Sequence, residues 1–127
     1  MITQLIKTLS VAAFITVCSI NAKAQGDFKF EKVEHDFGTI KPGNDTLWYS
    51  FKYTNSGSEP LVISDINTAC DCTLADWSKK PVLPGKTGIV KGGFKIKGKS
   101  GVFNKTLTIF ANTIPATTII TIKGVIK

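Results

Sequence analysis

The sequence predicts an all-β domain, an immunoglobulin-like antiparallel β-sandwich of about seven strands preceded by a signal peptide. Three observations carry this. Apolar and polar residues alternate in short runs, and no long stretch of the chain after residue 24 places apolar residues at i, i+3, i+4 and i+7. Glycine, proline and asparagine interrupt the runs every ten or so residues. The third is length, because 127 residues with 43% apolar content leave room for one small core and no second domain.

Residues 1–24 read as a secretory signal peptide. Lys7 supplies the positive start, Leu9 to Ile20 the apolar middle, and Ala22-Lys23-Ala24 a small-x-small cleavage site. Ser10, Thr16 and Ser19 interrupt the apolar stretch, which is too short to anchor in a hydrocarbon layer of about 30 Å. Val17 before Cys18 is bulkier than a lipidation signal takes. Cleavage after Ala24 leaves a domain at 25–127 with no transmembrane anchor, and Cys70 and Cys72 as its only thiols. In an exporting compartment such thiols can oxidise, and the expected location is periplasmic or secreted.

Along the domain, candidate strands fall at residues 28–32, 33–40, 46–54, 61–68, 88–96, 103–109 and 117–125. In the third, Leu47, Tyr49, Phe51 and Tyr53 share one face and Ser50, Lys52 and Thr54 the other, the pattern of a strand buried on one side. Pro42-Gly43, Ser56-Gly57, Pro84-Gly85 and Gly98 to Gly101 supply the turns, with positive φ allowed at the glycines. A single sheet of this many strands would leave an apolar face wet, so two sheets should pack face to face. Residues 69–81 read as a loop.

All sixteen basic residues are lysine, against nine acids, giving a formal charge of +7 that falls by two when Lys7 and Lys23 are removed. Without arginine for bidentate readout, and without a recognition motif, the lysines do not point to nucleic acid. Edge and surface lysines that discourage sheet-to-sheet association account for most of them.

The run His35-Asp36-Phe37-Gly38-Thr39-Ile40 before a Pro-Gly turn resembles the opening of the secreted domain-of-unknown-function family 1573. Phe51 to Asn55 before Ser56-Gly57, Pro60 to Ile63, Cys70-Asp71-Cys72-Thr73, Pro84-Gly85-Lys86, and Gly98 to Gly101 with Phe103 to Thr106 extend the likeness, in order, over nearly the whole domain. The resemblance implies an immunoglobulin-like sandwich distantly similar to major sperm protein and pilus-chaperone domains, in proteins exported by Gram-negative bacteria. It implies no established activity. Asp71 stands where the family pattern has glycine, a residue less suited to positive φ.

The residues that could carry chemistry are few. Cys70 and Cys72 in a fully extended strand would have Cα atoms roughly 6.6–6.8 Å apart, near the upper limit for bridging, so a disulfide between them requires a bend. Unpaired thiols packed into the core are a second reading. A Cu(I) or thiol-redox site is a third, with Asp71 or His35 as auxiliaries, although neither the Cys-x-x-Cys spacing nor a helix N-terminus is present. Four ligands for structural zinc are lacking.

His35 and Asp36 point to opposite faces of a strand and have no nucleophile beside them, so His35 is read as a hydrogen-bonded residue at a strand end. Trp48, out of phase with its buried neighbours, and Trp77, after the cysteines, are candidate partner-binding residues together with Asp71, since aromatic faces stack on peptides or sugars. Asp45-Thr46-Leu47 resembles an O-glycosylation acceptor at Thr46.

These features describe an exported, non-enzymatic module that binds an envelope or periplasmic protein through sheet edges or the 69–81 segment, with no catalytic residue, resident metal or cofactor. Copper binding or thiol redox chemistry at Cys70 and Cys72 is the alternative.

Overall fold

The structure, a computed structural model, describes residues 25–127. The signal peptide and Cys18 lie outside the described residues. Eight strands follow one another: β1 (Phe28–Phe30), β2 (Glu34–Ile40), β3 (Thr46–Asn55), β4 (Ile63–Thr68), β5 (Thr73–Trp77), β6 (Thr87–Lys95), β7 (Gly101–Ala111) and β8 (Thr117–Ile126). They form two four-stranded sheets, ordered β1-β3-β6-β5 and β2-β8-β7-β4. The all-β sandwich expected from the alternation is therefore the architecture. No described helix is long and apolar enough to cross a membrane.

Two details depart from the sequence reading. The 69–81 segment contains β5, which pairs antiparallel with β6 from Thr73↔Phe94 to Trp77↔Val90. Its five residues alternate too briefly to register as a strand, and pairing rather than propensity makes them one. The second departure is β2, which runs parallel to β8. β1 and β2 are successive parts of one extended segment that leaves the first sheet at residues 31–33 and joins the second without reversing. The intervening chain, nearly the whole domain, serves as the long connection that a parallel pair needs.

Between the sheets lie Phe51, Tyr53, Val90 and Phe94 from one side and Phe103, Leu107, Ile109, Ile120, Ile122 and Ile126 from the other, all buried. Each such side chain stabilises the fold by about 1.5–3 kcal/mol relative to an exposed one. Phe94 and Phe103 stack across the interface with centroids 4.3 Å apart, and Phe28 meets Tyr53 edge-on at 4.9 Å. The Pro84-Gly85 turn closes with Lys86 N–H donating to Leu83 O at 3.0 Å, and Gly85 takes φ 80°. Gly43, by contrast, has no positive φ.

Among the described residues, the amide of Asn55, at the end of β3, is fully buried against that core. Its Nδ2 donates to Glu59 O at 2.7 Å and Val82 O at 2.8 Å, and its Oδ1 accepts from Asp27 N–H at 3.2 Å and Gly57 N–H at 2.9 Å. All four capacities of the amide are filled, by three separate stretches of backbone. Asn55→Ala would strand these groups, and it should lower unfolding free energy by about 3 kcal/mol in urea titration, whereas Ser64→Ala, at an exposed strand position, should change it by less than about 0.5 kcal/mol.

Candidate functional site

A sandwich has four sheet edges, and what each offers follows from which backbone groups face outward. In β3, Asn55 N–H donates to Lys86 O and Asp45 O accepts from Ile96 N–H, so the odd-numbered residues bond β6. The even-numbered residues therefore turn their N–H and C=O the other way, where Glu31 N–H reaches Lys52 O at 3.1 Å. β1 pairs only with Tyr53, Thr54 and Asn55. Beyond it the backbone of Thr46, Trp48 and Ser50 has no strand partner among the described residues.

The remaining edges are blunted. On β5 the outward-facing groups are those of Thr73, Ala75 and Trp77. Thr73 N–H donates to Cys70 O at 3.1 Å and Trp77 N–H to the Asp76 carboxylate at 2.9 Å. On β4 the Ile66 N–H donates to the Asp65 carboxylate at 2.9 Å, beside a bulge at Ser64. On β2 the Gly38 N–H, at φ 74°, donates to the Asp36 carboxylate at 2.8 Å, within the register shift against β8. Bulges, short strands and edge carboxylates that cap outward N–H groups discourage unwanted pairing. None of these carboxylate caps stood out in the sequence, because an aspartate at a strand edge has no spacing signature.

Cys70 and Cys72 are joined by a disulfide across the turn that carries the chain from β4 in one sheet to β5 in the other. The bend at Asp71 brings their Cα atoms to 5.3 Å, shorter than an extended strand permits. Asp71 is exposed and does not have positive φ. Cys72 packs against the core and Cys70 Sγ lies 3.7 Å from Thr73 Oγ1. Among the described residues no three His, Cys, Asp or Glu side chains converge as metal ligands would.

His35 sits on the opposite side of the sandwich, on edge strand β2. It is held by rings: it stacks on Tyr49 at 3.7 Å with an interplanar angle of 7° and meets Phe37 edge-on at 4.6 Å. Tyr49 belongs to the other sheet, so this stack closes the sandwich beneath the open stretch of β3. Lys32 Nζ lies 5.7 Å from the Tyr49 ring centre. The sequence brought none of this forward, and the hydrogen-bonded strand-end histidine it suggested is replaced by an aromatic partner.

The two tryptophans do not share a surface. Trp48 lies on the outer face of its sheet, 47% exposed, over Gly93. Trp77 points the other way, against the core, with Lys79 Nζ 3.0 Å from its ring centre. Thr46 is half-buried at the first residue of β3, and the shallow depression after β5 is lined by Lys79, Lys80, Leu83 and Lys86.

Burial among the rings, and then the Lys32 charge, lower the pKa of His35, with Asp36 acting weakly in the opposite sense. The unfolded chain therefore binds a proton first as pH falls below about 6.5, and stability drops through the window between that value and the lower folded one. Urea midpoints should fall from pH 7.5 to pH 5.5 more steeply in the native protein than in His35→Phe, which keeps the stacking without the titration.

No curated protein matches the sequence. Among solved structures, a protein of unknown function from Porphyromonas gingivalis W83 is similar at 16% identity and TM-score 0.70, over 87% of this chain and 51% of that one. The Vibrio cholerae VesB protease is similar at 11% identity and TM-score 0.60, over 79% of this chain and 31% of that one. The PapD-like domain 7 of human CEP192 is similar at 10% identity and TM-score 0.59, over 100% of this chain and 96% of that one. The chain thus spans about half of the first and a third of the second, and identities this low establish the fold alone. With the matching family model running over residues 28–126, the chain belongs to the family described as Protein of unknown function (DUF1573).

Proposed function

We propose that this protein is an exported, non-enzymatic module that binds an envelope or periplasmic protein by accepting an extended strand along β3. The observation that carries the reading is the unpaired backbone of Thr46, Trp48 and Ser50, beside edges that are capped or bulged. An added strand would gain main-chain hydrogen bonds there, and side-chain contacts with Leu47 and Tyr49 at the sandwich rim would select its sequence. The PapD-like neighbour supports the fold on which such an edge is built. The non-enzymatic assignment rests on the positions of His35 and the sulfurs, which lie at opposite edges with no nucleophile between them. The 69–81 segment is the weaker candidate surface, because Thr73 and Trp77 already spend their outward N–H groups locally.

Ser50→Pro tests this reading, since it deletes an outward N–H and leaves the ladder to β6 intact. With a photo-crosslinker at Thr46 in intact cells, the expected result is a discrete crosslinked product that Ser50→Pro removes, while replacing Cys70 and Cys72 with serine leaves it unchanged. An undiminished product in Ser50→Pro would overturn strand addition. Loss of the product in the cysteine variant, with stoichiometric Cu(I) uptake by the reduced protein, would favour the copper or redox alternative.

Export is tested by the intact mass of the native protein without reductant. The expected value is that of residues 25–127 less two hydrogens, and an added hexose-based mass would identify glycosylation at Thr46.

A further inference from the structure

The outer face of the β1-β3-β6-β5 sheet is built differently from that of the other sheet, and the registers say how. Trp48 pairs with Gly93 and Gly93 with Leu74, so one row across the face is indole, glycine and leucine. The rows beside it are Thr46 with Lys95, and Ser50 with Lys91 and Asp76. Lys52 with Ile89, and Lys29 with Thr54, extend the surface. Four exposed lysines, at 29, 52, 91 and 95, thus share the face with three exposed carboxylates, Asp76 opposite Lys91, and Glu31 and Asp27 opposite Lys52 and Ser56 at the β1 margin. The opposite outer face carries Lys123, paired with Glu34 at 2.6 Å, together with Asp36 and Asp65. Around Trp48 the face is basic, with Lys52, Lys91 and Lys95 about the ring, whereas the opposite outer face carries more carboxylates than lysines.

On that side the indole lies flat. A Cβ on Gly93 would fall 2.7 Å from Trp48 Cε3 and Cζ3, so the ring rests directly on the glycine backbone with its other side toward solvent. Glycine weakens a strand interior, and its place here is explained by the close approach of the ring. The result is a rigid aromatic platform in the plane of the sheet, flanked by lysines. Lys91 and Lys95 are four residues apart on one strand, about 13 Å along it.

From this juxtaposition we infer a binding face for an acidic polysaccharide. A pyranose ring would stack its C–H surface on the exposed side of Trp48, while carboxylate or sulfate groups on neighbouring sugars meet Lys91, Lys95 and Lys52. Lysine's flexible point charge suits a chain whose anions are spaced by sugar rings, where the fork of an arginine is not required. A membrane is less favoured, since an indole held flat presents no tip to enter the acyl boundary. Single-stranded nucleic acid is less favoured because it takes successive aromatic platforms and this face has one. The face uses side chains, not the backbone edge of β3, and does not depend on strand addition there.

The test is calorimetric titration of the native protein with oligogalacturonate, alongside uncharged cello-oligosaccharide, phosphatidylglycerol vesicles and oligothymidylate. Saturable binding of oligogalacturonate that weakens with salt is expected, together with a shift in tryptophan emission that persists in Trp77→Phe. Trp48→Ala and the double variant Lys91→Gln/Lys95→Gln should each weaken it about tenfold or more. Gly93→Ala should do the same by lifting the ring. If either glycine or tryptophan variant fails to fold, the lysine pair, on exposed positions, decides alone. Unchanged affinity in the lysine variant, equal affinity for the uncharged oligosaccharide, preference for vesicles or oligothymidylate, or no saturable binding would overturn the inference.

Discussion

The fold depends on one amide. Asn55 ends β3 and ties together the backbone of the incoming chain at Asp27, the reversal at Gly57 to Glu59, and Val82, which itself bridges to Leu61. These segments are irregular, so they have no ladder of their own to fill their hydrogen bonds. Left unmade, a group buried as Val82 O is would cost on the order of 1–3 kcal/mol, and the part-buried ones less. Asn55 replaces several such costs with one side chain, and by holding the Asp27 segment it sets where β1 starts. That placement in turn decides how far along β3 the edge is covered, and hence which backbone groups remain outward.

The two sheets are closed differently at their two sides. On one, the chain crosses from β4 to β5 through a turn that the Cys70–Cys72 disulfide tightens. On the other, the crossing from β1 to β2 has no crosslink, and the His35–Tyr49 stack spans the gap instead. The open length of β3 lies on the side that the ring stack closes.

Much of the architecture could be read from the residues, because burial on one face writes itself into the chain as alternation. Leu47 to Tyr53 and Phe103 to Ile109 are buried and exposed in turn as their pattern requires. What escaped was decided by pairing across sequence distance. β5 is too short for periodicity, and its strand character comes from Lys91 and Gly92 opposite it. The direction of β2 relative to β8 is invisible locally, since parallel and antiparallel neighbours demand the same side chains of a half-buried strand. At the candidate site, the exposure of Trp48 followed from phase alone. Its flatness did not, because the glycine beneath it lies 45 positions away in the chain. The uncovered length of β3 was equally hidden, being a property of where β1 stops.

The order of strands in the second sheet has a temporal consequence. β8, late in the sequence, occupies an interior position there, flanked by β2, early in the sequence, and by β7. A chain emerging N-terminus first from the ribosome can assemble hairpins but leaves a slot where β8 belongs. Until β8 arrives, β2 has no partner in its sheet, so that sheet closes only after the segment that supplies the middle strand has emerged.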